Sequence, residues 1–171
     1  MKRILLVFTT LSTLVICCSG AKTNYPKVSV TNELRDSIKG SDRIFVFEGL
    51  PHQMSEAKLL KAEKKRKDII EIAGYPFYTP KIKVEGVSLT ALRTIISNSE
   101  NYVQFRGEKR CGGFHPDYAV DWHDKDKLYS ILFCYGCSEV LVVDGKLTYR
   151  YDFEFTAELK KLLSAFDLKR P

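Results

Sequence analysis

The stretch EVLVVDGKLTYRYDF, residues 139–153, decides the fold. Asp144-Gly145 is a favoured two-residue hairpin turn, and after it Leu147, Tyr149, Tyr151 and Phe153 alternate with Thr148, Arg150 and Asp152. Period-two alternation with one apolar face predicts antiparallel strands at Glu139–Val143 and Lys146–Phe153. A second hairpin is expected just upstream, Tyr118–His123 against Leu128–Phe133, turning through Asp124–Lys127. Tyr118, Val120 and Trp122 would then share a face. A four-residue turn pairing His123 with Leu128 sets the register for the whole ladder: Asp117 faces Cys134, and His115 faces the Tyr135-Gly136 turn.

Working outward, Arg43–Phe47 reads as a short buried strand closed by Gly49 and Pro51. Met54, Ala57 and Leu60 then give a helical stripe after the His52-Gln53 bend. Ile69–Ile72 and Phe77–Val84 are strand-like pieces separated by Gly74-Tyr75-Pro76, and Pro80 marks an edge. Ser88–Ile96 has a cap candidate in Ser88 and apolar residues at helical spacing. Thr156–Phe166 is a last amphipathic helix. The class is therefore α+β, a mainly antiparallel sheet flanked by two or three helices, with no internal repeat.

The chain has 171 residues, 44% of them hydrophobic, which suits one domain with its own core and excludes disordered and collagen-like classes. Lys2 and Arg3 precede an uncharged run from Ile4 to Ile16, the charged and apolar regions of an export leader, short of the ~20 residues a spanning helix needs. Cys17-Cys18-Ser19-Gly20 resembles the lipobox of bacterial lipoproteins, in which the cysteine thiol is lipidated and becomes the mature N-terminus. Cys18 has the smaller preceding neighbour, Cys17 being preceded by Ile16, and simple cleavage after Ser19-Gly20-Ala21 is the alternative. The expected organisation is a leader over 1–17, a polar tether over 18–42 with room for a short helix at Asn32–Ile38, and one α+β domain over 43–171, in the bacterial envelope or, without the lipid, periplasmic or secreted.

Loss of Lys2 and Arg3 with the leader lowers the formal net charge from +6 to +4. The excess is local to Lys58, Lys61, Lys64, Lys65, Arg66 and Lys67, offset there by Glu63. These cations cluster toward a helix end, where the dipole favours them. A solvated helix end is the simplest reading, and contact with anionic lipid head groups suits a tethered domain. Nucleic acid is not expected, since the run lacks interleaved aromatics.

Three cysteines remain in the body, Cys111, Cys134 and Cys137, accompanied by His115. Three thiolates and one imidazole complete a tetrahedral Cys3His zinc site with CysTyrGlyCys as its knuckle, and Asp117 as a carboxylate orienting His115. Filled by four protein ligands, such a metal is structural. Export favours a disulfide instead, with Cys111 to Cys134 as the loop-closing pair. The odd thiol beside a disulfide also suits thiol-disulfide exchange at Cys134 and Cys137, although a redox CxxC ordinarily sits at a helix N-terminus and this one sits at a strand turn. Buried, inert thiols are the fourth possibility.

No oxyanion or orienting signature accompanies these cysteines, and neither a phosphate-binding glycine loop nor HExxH is present. Ser138 after Cys137 excludes c-type haem attachment. His52 and His123 read as surface or capping residues, and Tyr75, Phe77 and Tyr78 as packing. No catalytic residue is assigned.

The segments Glu48–His52 (EGLPH), Gly74–Tyr78 (GYPFY), Cys111–Tyr118 (CGGFHPDY) and Cys134–Glu139 (CYGCSE) together resemble the landmarks of a family of small exported bacterial proteins, many of them apparent lipoproteins, with no established activity. The resemblance spans Phe45 to Val143. It implies export and directs attention to Cys111, His115, Cys134 and Cys137 without naming a reaction.

Overall fold

The hairpins written in residues 118–153 close as alternation demands. In the computed structural model, which describes residues 29–107, 109, 112–145 and 147–167 (29–31 by backbone alone), β6 (Tyr118–Asp124) pairs with β7 (Lys127–Cys134). Tyr118 lies opposite Phe133 and His123 opposite Leu128, the expected register. β8 (Glu139–Asp144) and β9 (Leu147–Phe153) extend the meander. With β1 (Ile44–Glu48), β4 (Ile82–Lys83) and β5 (Tyr102–Gln104), they form a seven-stranded sheet ordered β4-β1-β6-β7-β8-β9-β5, every pairing antiparallel. β2 (Ile69–Ile72) and β3 (Tyr75–Tyr78) make a separate two-stranded sheet. Four helices complete the α+β fold among the described residues: α1 (Ser29–Gly40), α2 (Ala57–Glu63), α3 (Gly86–Ser97) and α4 (Ala157–Ser164).

Strand alternation sorts the core into two layers. One face of the sheet presents Ile44, Val46, Tyr118, Val120, Trp122, Ile131, Phe133, Val140 and Val142 to Leu34 and Ile38 of α1, Leu92 and Ile96 of α3, and Leu159 and Leu163 of α4. The other presents Phe47, Ala119, Leu132, Cys134 and Leu141 to Phe77 of β3 and to Phe114. The second face is the one that builds the site.

Four expectations are corrected. The tether over 18–42 does not persist to residue 42: α1 buries Leu34 and Ile38 completely, and Trp122 Nε1 donates to Ser37 Oγ at 3.0 Å. Each such apolar side chain contributes ~1.5–3 kcal/mol of burial, enough to make α1 part of the domain. The β8–β9 hairpin turns one residue later than Asp144-Gly145, because Asp144 stays in the ladder opposite Tyr129 and its carboxylate meets Lys127 Nζ, leaving Gly145 the positive φ of 60°. α3 starts at Gly86, ahead of Ser88, and carries no side-chain cap. Tyr75 and Pro76 belong to β3, since Ala73 and Gly74, both at positive φ, make the turn. Thr156 caps α4, its hydroxyl accepting from Leu159 N at 3.1 Å.

Candidate functional site

The turn between β7 and β8 is fastened from the strand before it. Asp117 N donates to Phe133 O at 2.7 Å, extending the β6–β7 ladder by one step, and Asp117 Oδ2 accepts from Tyr135 N at 2.8 Å. Asp117, expected to orient His115, here holds the CysTyrGlyCys turn through its carboxylate. Ser138 N donates to Tyr135 O at 3.2 Å, and Ser138 takes a φ of +50° to close the turn. Within this frame Cys134 is a free thiol, 1% exposed, packed among Phe47, Phe77, Phe114 and Leu132. The backbone amides of His115 and Cys137 donate to its sulfur. Burial nonetheless pushes the thiol above its ordinary pKa, and the carboxylates of Asp117 and Glu139 push the same way. Such a thiol is protonated and unreactive near neutrality.

Cys137 is disulfide-bonded, so a pairing of Cys111 with Cys134 does not hold, Cys134 being free. Cys111 lies outside the described residues. The Cys137 sulfur sits 3.3 Å from Gly113 O; a disulfide sulfur has no proton to donate, so this is a sulfur–oxygen contact. A disulfide sulfur is also no thiolate, so the bridge and a Cys3His zinc centre exclude each other in one molecule. Among the described residues, no three side chains of His, Cys, Asp and Glu are grouped to hold a metal.

His115, 8% exposed, is set by an unusually close crossing of two chains. Gly49 N donates to Asp117 O at 2.7 Å, and a Cβ at Gly49 would sit 2.2 Å from Pro116 O, so only glycine fits. That crossing brings Gly49–His52 against His115–Asp117 and places the His52 ring 4.8 Å from the His115 ring. His52 also holds the turn ahead of α2: its Nδ1 accepts from Met54 N at 3.1 Å, and its own N–H donates to Glu56 Oε2 at 2.8 Å.

A cleft of about 180 Å³ opens beside this crossing, lined by Gln53, Leu60 and Lys64 from the α2 segment, Gly74, Tyr75 and Pro76 from the β2–β3 turn, and Phe114 and His115. Tyr75 and Phe114 meet edge to face at 5.2 Å. Behind them Arg150 lies 5.5 Å from the Phe114 ring and 4.5 Å from Phe105, its Nε donating at 2.8 Å to the fully buried Glu139. Gln53 Nε2 donates to Gly112 O at 2.8 Å, tying the α2 segment to the loop that carries Phe114. The positive φ values of Gly112 and Gly113, 81° and 96°, let that loop double back over the turn, and a Cβ at Gly112 would strike Met54 at 2.5 Å.

The candidate residues are therefore unequally gathered. His115, Asp117, Cys134 and Cys137 converge as register requires; His123 is exposed and remote from them in the ladder. The basic run is exposed at Lys58, Lys61, Lys64, Lys65 and Lys67, while Arg66 pairs with Glu63 at 3.0 Å and Asp68 at 2.7 Å. Sequence reasoning passed over Gln53, Lys64 and Tyr75 as cleft residues. The signal available for two of them was their proximity to quoted landmarks: Tyr75 lies inside GYPFY and Gln53 follows EGLPH.

No family model matches the chain, and no curated protein or solved structure matches it either. Its class is defined by fold and site: an α+β domain in which three separated segments meet around a small cleft beside a disulfide. Among the described residues, no helix is long and apolar enough to cross a membrane.

Proposed function

We propose that this chain is an exported, lipid-anchored binding protein of the bacterial envelope, in which the cysteine and histidine cluster is structural and the cleft beside His115 receives the ligand. Supporting it most directly is the bonded state of Cys137, whose sulfur contacts Gly113, one residue from the cleft wall at Phe114. Cys111 stands two residues before Gly113 in the sequence, so a Cys111–Cys137 bridge would clamp the loop onto the β7–β8 turn. Cys18, or Cys17, carries the lipid. Lys58, Lys61, Lys64, Lys65, Arg66 and Lys67 supplement it on anionic head groups.

One observation favours a second reading, thiol-disulfide exchange. Cys134 is free while Cys137 is bonded, and the Cys137 amide donates to the Cys134 sulfur. In exchange, the Cys134 thiolate would attack the Cys137 sulfur, forming a 134–137 bond and expelling the partner sulfur as a thiolate. Deep burial and the raised thiol pKa oppose that first step.

Peptide mapping of the envelope-purified protein without reductant separates the readings. The expected result is a Cys111–Cys137 cross-link, with Cys134 alkylated only after unfolding. A Cys134–Cys137 bridge, or three reactive thiols, would overturn the structural assignment. Cys18→Ser together with Cys17→Ser should move the protein from the membrane to the soluble fraction.

A further inference from the structure

We propose that the cleft beside His115 selects a small anion with a flat apolar body, such as a short aromatic carboxylate, the ring lying among Tyr75, Phe114, Pro76 and Leu60 and the anionic group facing Lys64. This rests on the binding-protein reading above and gives its ligand a chemical class. Size comes first. A cavity of about 180 Å³ is below the several hundred Å³ of sites for drug-sized ligands and near the ~150 Å³ that accepts a single benzene ring.

Shape and chemistry follow from the lining. Tyr75 and Phe114 stand edge to face, so the cleft offers two ring surfaces at a steep angle, an arrangement a planar group fits by offset or edge contact. None of the eight lining residues is acidic, which leaves no counter-charge for a cationic ligand. The polar contributions come from Gln53, Lys64 and His115.

Lys64 is the one Lys, Arg, Asp or Glu in the cleft wall among the described residues. The two acids of the α2 segment are engaged elsewhere: Glu56 Oε2 accepts from His52 N, and Glu63 Oε2 accepts from Arg66 and from the Tyr78 hydroxyl. Lys64 takes part in no ion pair among the described residues, and Lys58, Lys61 and Lys65 stand exposed on the same helix and its end. An ammonium group at the wall of a low-dielectric cleft raises the local concentration of anions and the rate at which they enter.

Benzoate and benzamide are the probes, since they share a ring and differ in charge. Amide chemical shifts of the full mature chain are followed while each is added up to ~10 mM, a range that detects millimolar binding. Benzoate is expected to shift Gly74, Phe114 and His115 and to bind about tenfold or more tightly than benzamide, the advantage of a charge-assisted contact. Lys64→Gln, at an exposed position, should remove that preference, bringing the benzoate affinity down to that of benzamide. Equal affinity for the two probes would overturn the anion assignment while the cleft stands as a binding site. Shifts by neither probe, or shifts at residues away from the cleft, would overturn the binding site itself.

Discussion

The amide of Gly49 donates to the carbonyl of Asp117 across 2.7 Å, and at that crossing the backbone of one segment lies where a Cβ on the other would have to go. The contact holds His52 against His115 and brings the strand after Gly74 alongside, through a bridge from Gly49 to Phe77. Gly49→Ala is therefore expected to force the chains apart, since its Cβ would meet backbone oxygen and not a yielding side chain. Overpacking of this kind costs ~1–3 kcal/mol. Denaturant unfolding would read that loss, and the benzoate shifts at His115 should disappear with it. A variant of unchanged stability would show that the crossing relaxes freely.

Reduction tests the bridge at Cys137. If the partner is Cys111, the closed loop is worth ~3.5 kcal/mol in the chain-entropy description. Dithiothreitol should lower the unfolding midpoint accordingly, and Cys137→Ser should reproduce the effect without reductant. Chelation distinguishes the zinc alternative: the oxidised protein should keep its unfolding midpoint in the presence of a strong chelator and yield no zinc on acid release. One zinc per chain, with stability lost on chelation, would restore the four-ligand centre of Cys111, His115, Cys134 and Cys137.

The pair behind the cleft is buried unequally, with no side-chain exposure at Glu139 and 22% at Arg150. Removing the guanidinium leaves a carboxylate with no solvent access beside Lys109, whose Nζ is 3.9 Å away and already 3.0 Å from Asp152. Arg150→Met should cost ~3–5 kcal/mol, as loss of one partner of a buried pair does, and the double variant Arg150→Met with Glu139→Leu should recover much of it. Additive losses in that cycle would show that the two side chains act independently.

What the sequence disclosed and what it concealed follow one physical line. Period-two alternation specifies a sheet because a one-residue slip would turn Val120, Trp122 and Ile131 to the wrong side, so the β6–β7 register, and with it the meeting of Asp117 and Cys134, could be counted from one four-residue turn. The β8–β9 turn falls one residue later because Asp144 is held in the ladder by partners distant in sequence, Tyr129 opposite it and Lys127 at its carboxylate, which a local turn preference does not register. α1 looked like tether because Leu34 and Ile38 are its only strong apolar pair among the described side chains; Trp122, Tyr129 and α3 provide the rest of their surroundings. Cysteine pairing was illegible because spacing alone does not choose between Cys134 and Cys137. The cleft was illegible because its walls come from three segments that no local pattern joins.

Asp121 gives the clearest pH dependence. It projects onto the second face of the sheet, 7% exposed, with Oδ1 buried and, among the described residues, without a hydrogen-bond partner. Burial raises its pKa, against the opposing influence of a hydrogen bond from Ser130 and the charges of Lys81 and His123. An acid whose folded pKa exceeds its unfolded value, ~3.9, binds more protons when folded. Its contribution to stability is thus complete below pH ~3.9 and is lost as pH rises through the folded value, leaving a penalty at neutrality. Asp121→Asn removes the charge while keeping the shape, and should raise stability at pH 7 by ~1–2 kcal/mol, with no gain at pH 3. Unfolding free energies of the two proteins measured from pH 3 to 7 check this: the difference should grow with pH, and a difference that shrinks would reverse the sign assigned to this carboxyl.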